Sequence, residues 1–132
     1  MKKSVCACVI LLLLVACNSE MRRIELAAND YLMAVSLYDL DGAESYCTEE
    51  TSKTTLVIGR YLMAYTDSSF FEQDKPVTID ITDVRCTTDT TATVHFHKVT
   101  PIKDITDSLE MRKRDGKWLA HAPIIKNKAV AQ

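Results

Sequence analysis

At Pro76 the spacing of apolar residues changes from three-and-four to two, and that switch limits the chain to one class of architecture. Helix side chains return to one face every three or four residues, whereas strand side chains alternate between faces. Before the switch, Ile24, Ala27, Ala28, Tyr31, Leu32, Val35 and Tyr38 recur at helical spacing, predicting an amphipathic helix of about five turns from near Glu20. After it, Val77, Ile79 and Ile81 alternate with Thr78, Asp80 and Thr82, predicting a strand that runs to about Cys86. A second strand over 91–100 sets Ala92, Val94 and Phe96 against Thr93, His95 and His97, and a third covers 105–114. Asp115-Gly116 is the strongest hairpin signal in the chain and leads into a fourth strand, 117–122, with Trp118, Ala120 and Ala122 on one face. Helices followed by a meander of antiparallel strands is an α+β pattern.

Two helices are expected between the first helix and the strands. Asp39-Leu40-Asp41-Gly42 breaks the first pattern, and Asp41 with Glu44 fits a capping box for a short helix over 42–47. Thr48 is placed to cap a longer helix over 49–66, whose apolar positions are Leu56, Val57, Tyr61, Leu62, Ala64 and Tyr65. Gly59 in its middle costs up to about 1 kcal/mol against alanine, which predicts a close neighbour there. Asp67-Ser68-Ser69 ends this helix, and Phe70-Phe71 is expected to pin the following loop to the core. Pro123 ends the last strand and 124–132 reads as a tail.

The first residues carry an address. Lys2 and Lys3 precede twelve apolar residues, 5–16. As a helix these span about 18 Å at ~1.5 Å per residue, against the roughly 30 Å of a bilayer core. That length suits a signal peptide rather than a membrane span. The run ends in Leu14-Val15-Ala16-Cys17, which resembles the bacterial lipobox. The resemblance implies cleavage after residue 16 and lipid on Cys17. The competing reading is an ordinary secreted protein with an incidental cysteine. The predicted organisation is therefore a signal peptide (1–16), a lipidated cysteine with a short tether (17–19), one domain (20–123) and the tail. Two or three acyl chains give stable membrane attachment where one gives only marginal binding. Asn18 is not the aspartate that holds lipoproteins at the inner membrane, and Glu20 alone is no acidic export signal. The expected location is the cell envelope, on the periplasmic face of the outer membrane.

Losing Lys2 and Lys3 leaves 14 basic against 18 acidic residues, a net charge of −4, and argues against nucleic acid as a partner. The basic cluster Arg112-Lys113-Arg114 with Lys117 is explained by the hairpin it flanks. Beyond the lipidated residue, the mature chain keeps Cys47 and Cys86. In an oxidising compartment they make a candidate disulfide closing a loop of about 40 residues, worth about 4 kcal/mol in the loop-entropy model. Two buried free thiols are the alternative.

The order helix, short helix, helix, four meandering strands resembles the small lipoproteins of the nuclear-transport-factor-2-like superfamily, in its uncharacterised lumazine-binding-like branch. The resemblance rests on residues 38–51, with their acidic turn and Cys47-Thr48-Glu49-Glu50-Thr51. It rests also on Ile81-Thr82-Asp83-Val84 leading to Ala92-Thr93-Val94, and on residues 115–119. It implies a cone-like fold, the N-terminal helices packed in a curved antiparallel four-stranded sheet with an open end. Its motifs mark fold and not chemistry.

His95 and His97 share a strand face, and His121 would supply a third imidazole for zinc, which takes three or four such ligands. A simply polar face is the plainer explanation, so no metal and no cofactor is expected. An enzyme of this superfamily would need an acid–base pair in the cone, for which Asp30, Tyr31, Tyr61, Tyr65 and the histidines are the supply. No nucleophile motif, phosphate loop or dinucleotide fingerprint is present, and no catalytic residue is assigned. Tyr31, Tyr61, Tyr65, Phe70 and Trp118 are the aromatic residues able to line an apolar pocket at the cone mouth. The first expectation is a non-enzymatic interaction or accessory module, a homodimer or a binder of an envelope protein through the sheet. Binding of a small apolar or aromatic molecule in the cone is the alternative.

Overall fold

The computed structural model describes the backbone of residues 2–124 and the side chains of residues 18–124. The Cys17 side chain, and all of the expected tail after Ile124, lie outside the described residues. The chain is α+β: helices followed by a four-stranded antiparallel sheet in the order β1-β2-β3-β4. The helical part is α1 (Lys2–Ser36), α2 (Leu40–Glu44), α3 (Glu49–Thr51), a π-helical turn (Ser52–Leu56), α4 (Val57–Ala64) and α5 (Ser68–Gln73). The strands are β1 (Thr78–Cys86), β2 (Thr91–Thr100), β3 (Lys103–Arg114) and β4 (Lys117–His121). The expected tether, 17–19, is thus one more turn of α1. Among the described residues no helix is long and apolar enough to cross a membrane.

The core forms where α1 crosses the inner face of the sheet. Ile24, Ala28, Tyr31 and Leu32 meet Ala92, Val94 and Phe96 of β2, Leu109 and Met111 of β3, and Trp118 and Ala120 of β4. These strand residues share one face because directly opposed residues project together: Ala92 pairs with Met111 and Val94 with Leu109. In β1 the register shifts between Ile81 and Asp83. This bulge is what lets Ile79 and Ile81, then Val84 and Cys86, oppose inward residues of β2. Strict alternation from Ile81 would have turned Val84 and Cys86 outward.

The free edge of β4 is covered rather than exposed. Ala120 donates its N–H to Tyr46 and accepts from Thr48, at 2.9 Å each. The Thr51 hydroxyl accepts from Ala122 N–H at 3.0 Å, and that of Thr54 accepts from Ile124 N–H at 3.1 Å. Thr48 caps α3 as its position predicts, accepting from Thr51 N–H. The cap of α2 is Asp39 and not Asp41, because the Asp39 carboxylate reaches Gly42 N–H at 3.0 Å. The expected long helix over 49–66 is interrupted by the π turn. Asp67, read as its terminator, instead caps α5, so Phe70 and Phe71 are helical.

The Cys47–Cys86 bridge is not formed; both are free thiols, one buried and one exposed. The register explains it. Cys86, Ala92, Met111, Ala120 and Cys47 stand in one row across the sheet. That row is four strand spacings, roughly 19 Å, where a disulfide needs Cα atoms about 5.5–6 Å apart.

Candidate functional site

An apolar pocket of about 350 Å³ opens between the C-terminal end of α1, α2, α4 and α5, lined by Val35, Leu40, Leu62, Met63, Phe70 and Phe71 with Gly59 and Thr66. Its polar side chains are Tyr38, Lys103 and Thr66, whose hydroxyl is spent on Leu62 C=O at 2.7 Å. Gly59 marks its wall: a Cβ there would come within 3.0 Å of Leu40 Cδ1, the close neighbour that a mid-helix glycine predicts.

Tyr38 is brought in by the way α1 ends. Asp39 N–H bonds Ala34 C=O at 2.8 Å and Tyr38 N–H bonds Val35 C=O at 3.1 Å, the two closures of a Schellman motif. Tyr38 occupies the left-handed position of that motif with φ 60°, where glycine is usual. Its ring lies 4.4 Å from that of Phe71.

Behind the pocket is Asp74, fully buried. Its carboxylate accepts from the Tyr38 hydroxyl, from Thr100 Oγ1 at 2.6 Å and from Lys103 Nζ at 3.0 Å. Burial pushes the carboxyl up, but the bonds from Thr100, Tyr38 and Lys103 outweigh it and hold the group at about 2. Burial and the bond to Asp74 raise Tyr38, whereas at Lys103 burial opposes a net rise driven by Asp74. At neutral pH the carboxylate, phenol and ammonium therefore keep one charge state each. The site offers a shaped apolar surface, a fixed hydroxyl and an ammonium lying 5.5 Å over the Phe70 ring.

Of the aromatic residues expected at such a pocket, only Phe70 lines it. Tyr31 and Trp118 are buried in the core, and burial first, then Cys47, pushes the Tyr31 phenol up to about 12. Trp118 donates to Glu20 Oε1 at 2.7 Å, which Lys113 also reaches at 2.8 Å. Tyr61 and Tyr65 pair with each other, 4.8 Å between ring centroids, on the outside of α4, 63% and 77% exposed. With Val57, Ile58 and Leu62 they make an exposed apolar face, the opposite of the core role their spacing suggests. Sequence reasoning missed Tyr38, Asp74 and Lys103. Their one signal is a tyrosine in the glycine position after a helix.

The three histidines do not converge. His95 is exposed on the outer face of the sheet, opposite Asp83 and Ser108. His97 Nε2 bonds Asp104, and His121 is buried with Nδ1 2.9 Å from Thr48 Oγ1. Among the described residues no group of three or more His, Cys, Asp or Glu side chains could hold a metal ion. Asp30 is exposed on α1 and does not line the pocket. Comparison of the chain with protein-family models, with curated proteins and with solved structures finds no match.

Proposed function

We propose that this chain is a lipid-anchored module of the bacterial envelope that holds a small apolar molecule in the pocket between α1, α4 and α5, without transforming it. The observation that carries the reading is the pocket itself: about 350 Å³, apolar on most sides, with Tyr38 and Lys103 in its wall both bonded to Asp74. That is the composition and scale of small-molecule sites. The fixed charge states of Tyr38, Asp74 and Lys103 suit holding a ligand better than exchanging protons with it. The order of helices and strands supports a cone-like scaffold of the nuclear-transport-factor-2-like kind. Anchoring rests on Leu14-Val15-Ala16-Cys17, with the periplasmic face of the outer membrane as the site of action.

Two experiments test this reading. Cys17→Ala should move the protein from the membrane fraction to the soluble envelope fraction. Solvent extraction of the full chain, purified from membranes, should release a small apolar compound that Met63→Trp, which fills the pocket, does not carry. Equal yields from both proteins would remove the pocket from the account.

A second reading has its own observation. The exposed face of Val57, Ile58, Tyr61, Leu62 and Tyr65 supports docking of another protein on α4. The outer face of the sheet supports it less, since Asp80, Asp83, Arg85, His95, Glu110 and Arg112 populate it. Tyr61→Ser with Tyr65→Ser should abolish cross-linking to a partner while leaving the extracted compound unchanged.

A further inference from the structure

We propose that the molecule held in this pocket is a small amphipathic acid, its apolar body between α1, α4 and α5 and its carboxylate at the ammonium groups of Lys103 and Lys98. The proposal rests on the pocket reading above and adds the ligand's charge and size.

The charge follows from what faces the polar end. Lys103 lines the pocket from the start of β3. Lys98 stands outside that lining on the same inner sheet face, opposite Ile79 and Ile105, near enough to feel the charges of Lys103 and Asp74. Among the described residues, Asp74 is the one carboxylate bonded to Lys103, and it acts on Lys98 only through space. Other nearby charges are turned elsewhere: Lys75 pairs with Glu72 at 3.4 Å, and Asp104 lies on the outer face, bonded to His97 Nε2. Two ammoniums against one carboxylate leave an excess of one positive charge.

Hydrogen-bonding capacity agrees. An ammonium has three donors, and Asp74 takes one of those on Lys103. The Lys98 side chain is half-buried, yet among the described residues it has no hydrogen bond or ion pair. A partly desolvated ammonium without an acceptor is unfavourable unless an anion completes it. Asp74 is fully buried behind Lys103, so it orients the ammonium without closing the pocket. Size sets the rest. At about 30 Å³ for each water-sized unit, the cavity takes roughly a dozen non-hydrogen atoms. A medium-chain fatty acid or an aromatic acid of similar bulk fits that measure.

The test is equilibrium dialysis of decanoate and of decan-1-ol against the full chain in phosphatidylcholine nanodiscs, with empty nanodiscs as the blank. Decanoate should bind at least about tenfold more tightly than the alcohol, the scale of one charge-assisted hydrogen bond. Lys98→Met should remove most of that advantage and leave the alcohol's affinity unchanged. Lys103→Met should do the same; because it also strips Asp74 of a partner, Lys98→Met decides if that variant fails to fold. Equal affinities for acid and alcohol, both lowered by Met63→Trp, would overturn the acidic head and leave the pocket standing. Retention of neither compound above the blank would overturn both.

Discussion

Tyr38 holds a backbone conformation that disfavours every side chain, at a cost of about 1 kcal/mol, and what it does with the side chain accounts for that. Its hydroxyl meets Asp74, its ring meets Phe71, and both lie at the pocket. Tyr38→Phe keeps the ring and removes one of three donors to a buried carboxylate; urea denaturation should show a loss of about 1–2 kcal/mol. Asp74 gives the acid limb of stability. Its folded value of about 2 lies below the ordinary 3.8, so its contribution is complete above pH 4 and disappears as the pH falls to 2. Asp74→Asn should be less stable at pH 7 and show a flatter stability profile between those values. The cysteines separate as sharply. Cys86 is exposed, whereas Cys47 is buried, with its thiol raised first by burial and then by Glu44. Iodoacetamide should label Cys86 in the native protein and reach Cys47 only on unfolding; equal rates would contradict the buried placement.

At the scale of elements, the strands were legible because alternation is a local property of the chain. Strand β2 falls on the expected residues and β3 begins two residues early, at Lys103. The Asp115-Gly116 signal becomes a turn with φ 53° and 74°, so Gly116→Val should cost about 1–2 kcal/mol, read as a fall in melting temperature with unchanged pocket binding. The helices were less legible. Periodicity on α4 shows that Val57, Tyr61 and Tyr65 share a face, but the partner of that face is decided by Leu40 pressing on Gly59 from the other side. Neither the π turn nor the threonine contacts to the end of β4 leaves a pattern in composition. They depend on Thr51 and Thr54 meeting Ala122 and Ile124, about 70 residues away. The candidate site was less legible still, since Tyr38, Asp74 and Lys103 come from three separate segments. Only their meeting in space, through one buried carboxylate, makes them a unit.

Over the whole molecule, α1 joins the proposed anchor to the proposed site. From residue 17 to Ser36 the helix rises about 28 Å at ~1.5 Å per residue. Glu20, three residues past the anchor, is pinned by Lys113 and Trp118 of the β3–β4 hairpin. The expected short tether is therefore a continuous helix locked to the sheet, and the pocket lies at its far end. A lipid on Cys17 would hold that pocket away from the bilayer, facing the compartment. On the proposal above, this pocket, and neither the polar sheet nor the exposed side of α4, is where the protein works. Methyl-detected NMR of the full chain in nanodiscs, titrated with decanoate, tests it most directly. Shifts are expected at Val35, Leu40 and Met63, with Val57 and Ile58 unmoved. Shifts confined to Val57 and Ile58, or none at all, would contradict it.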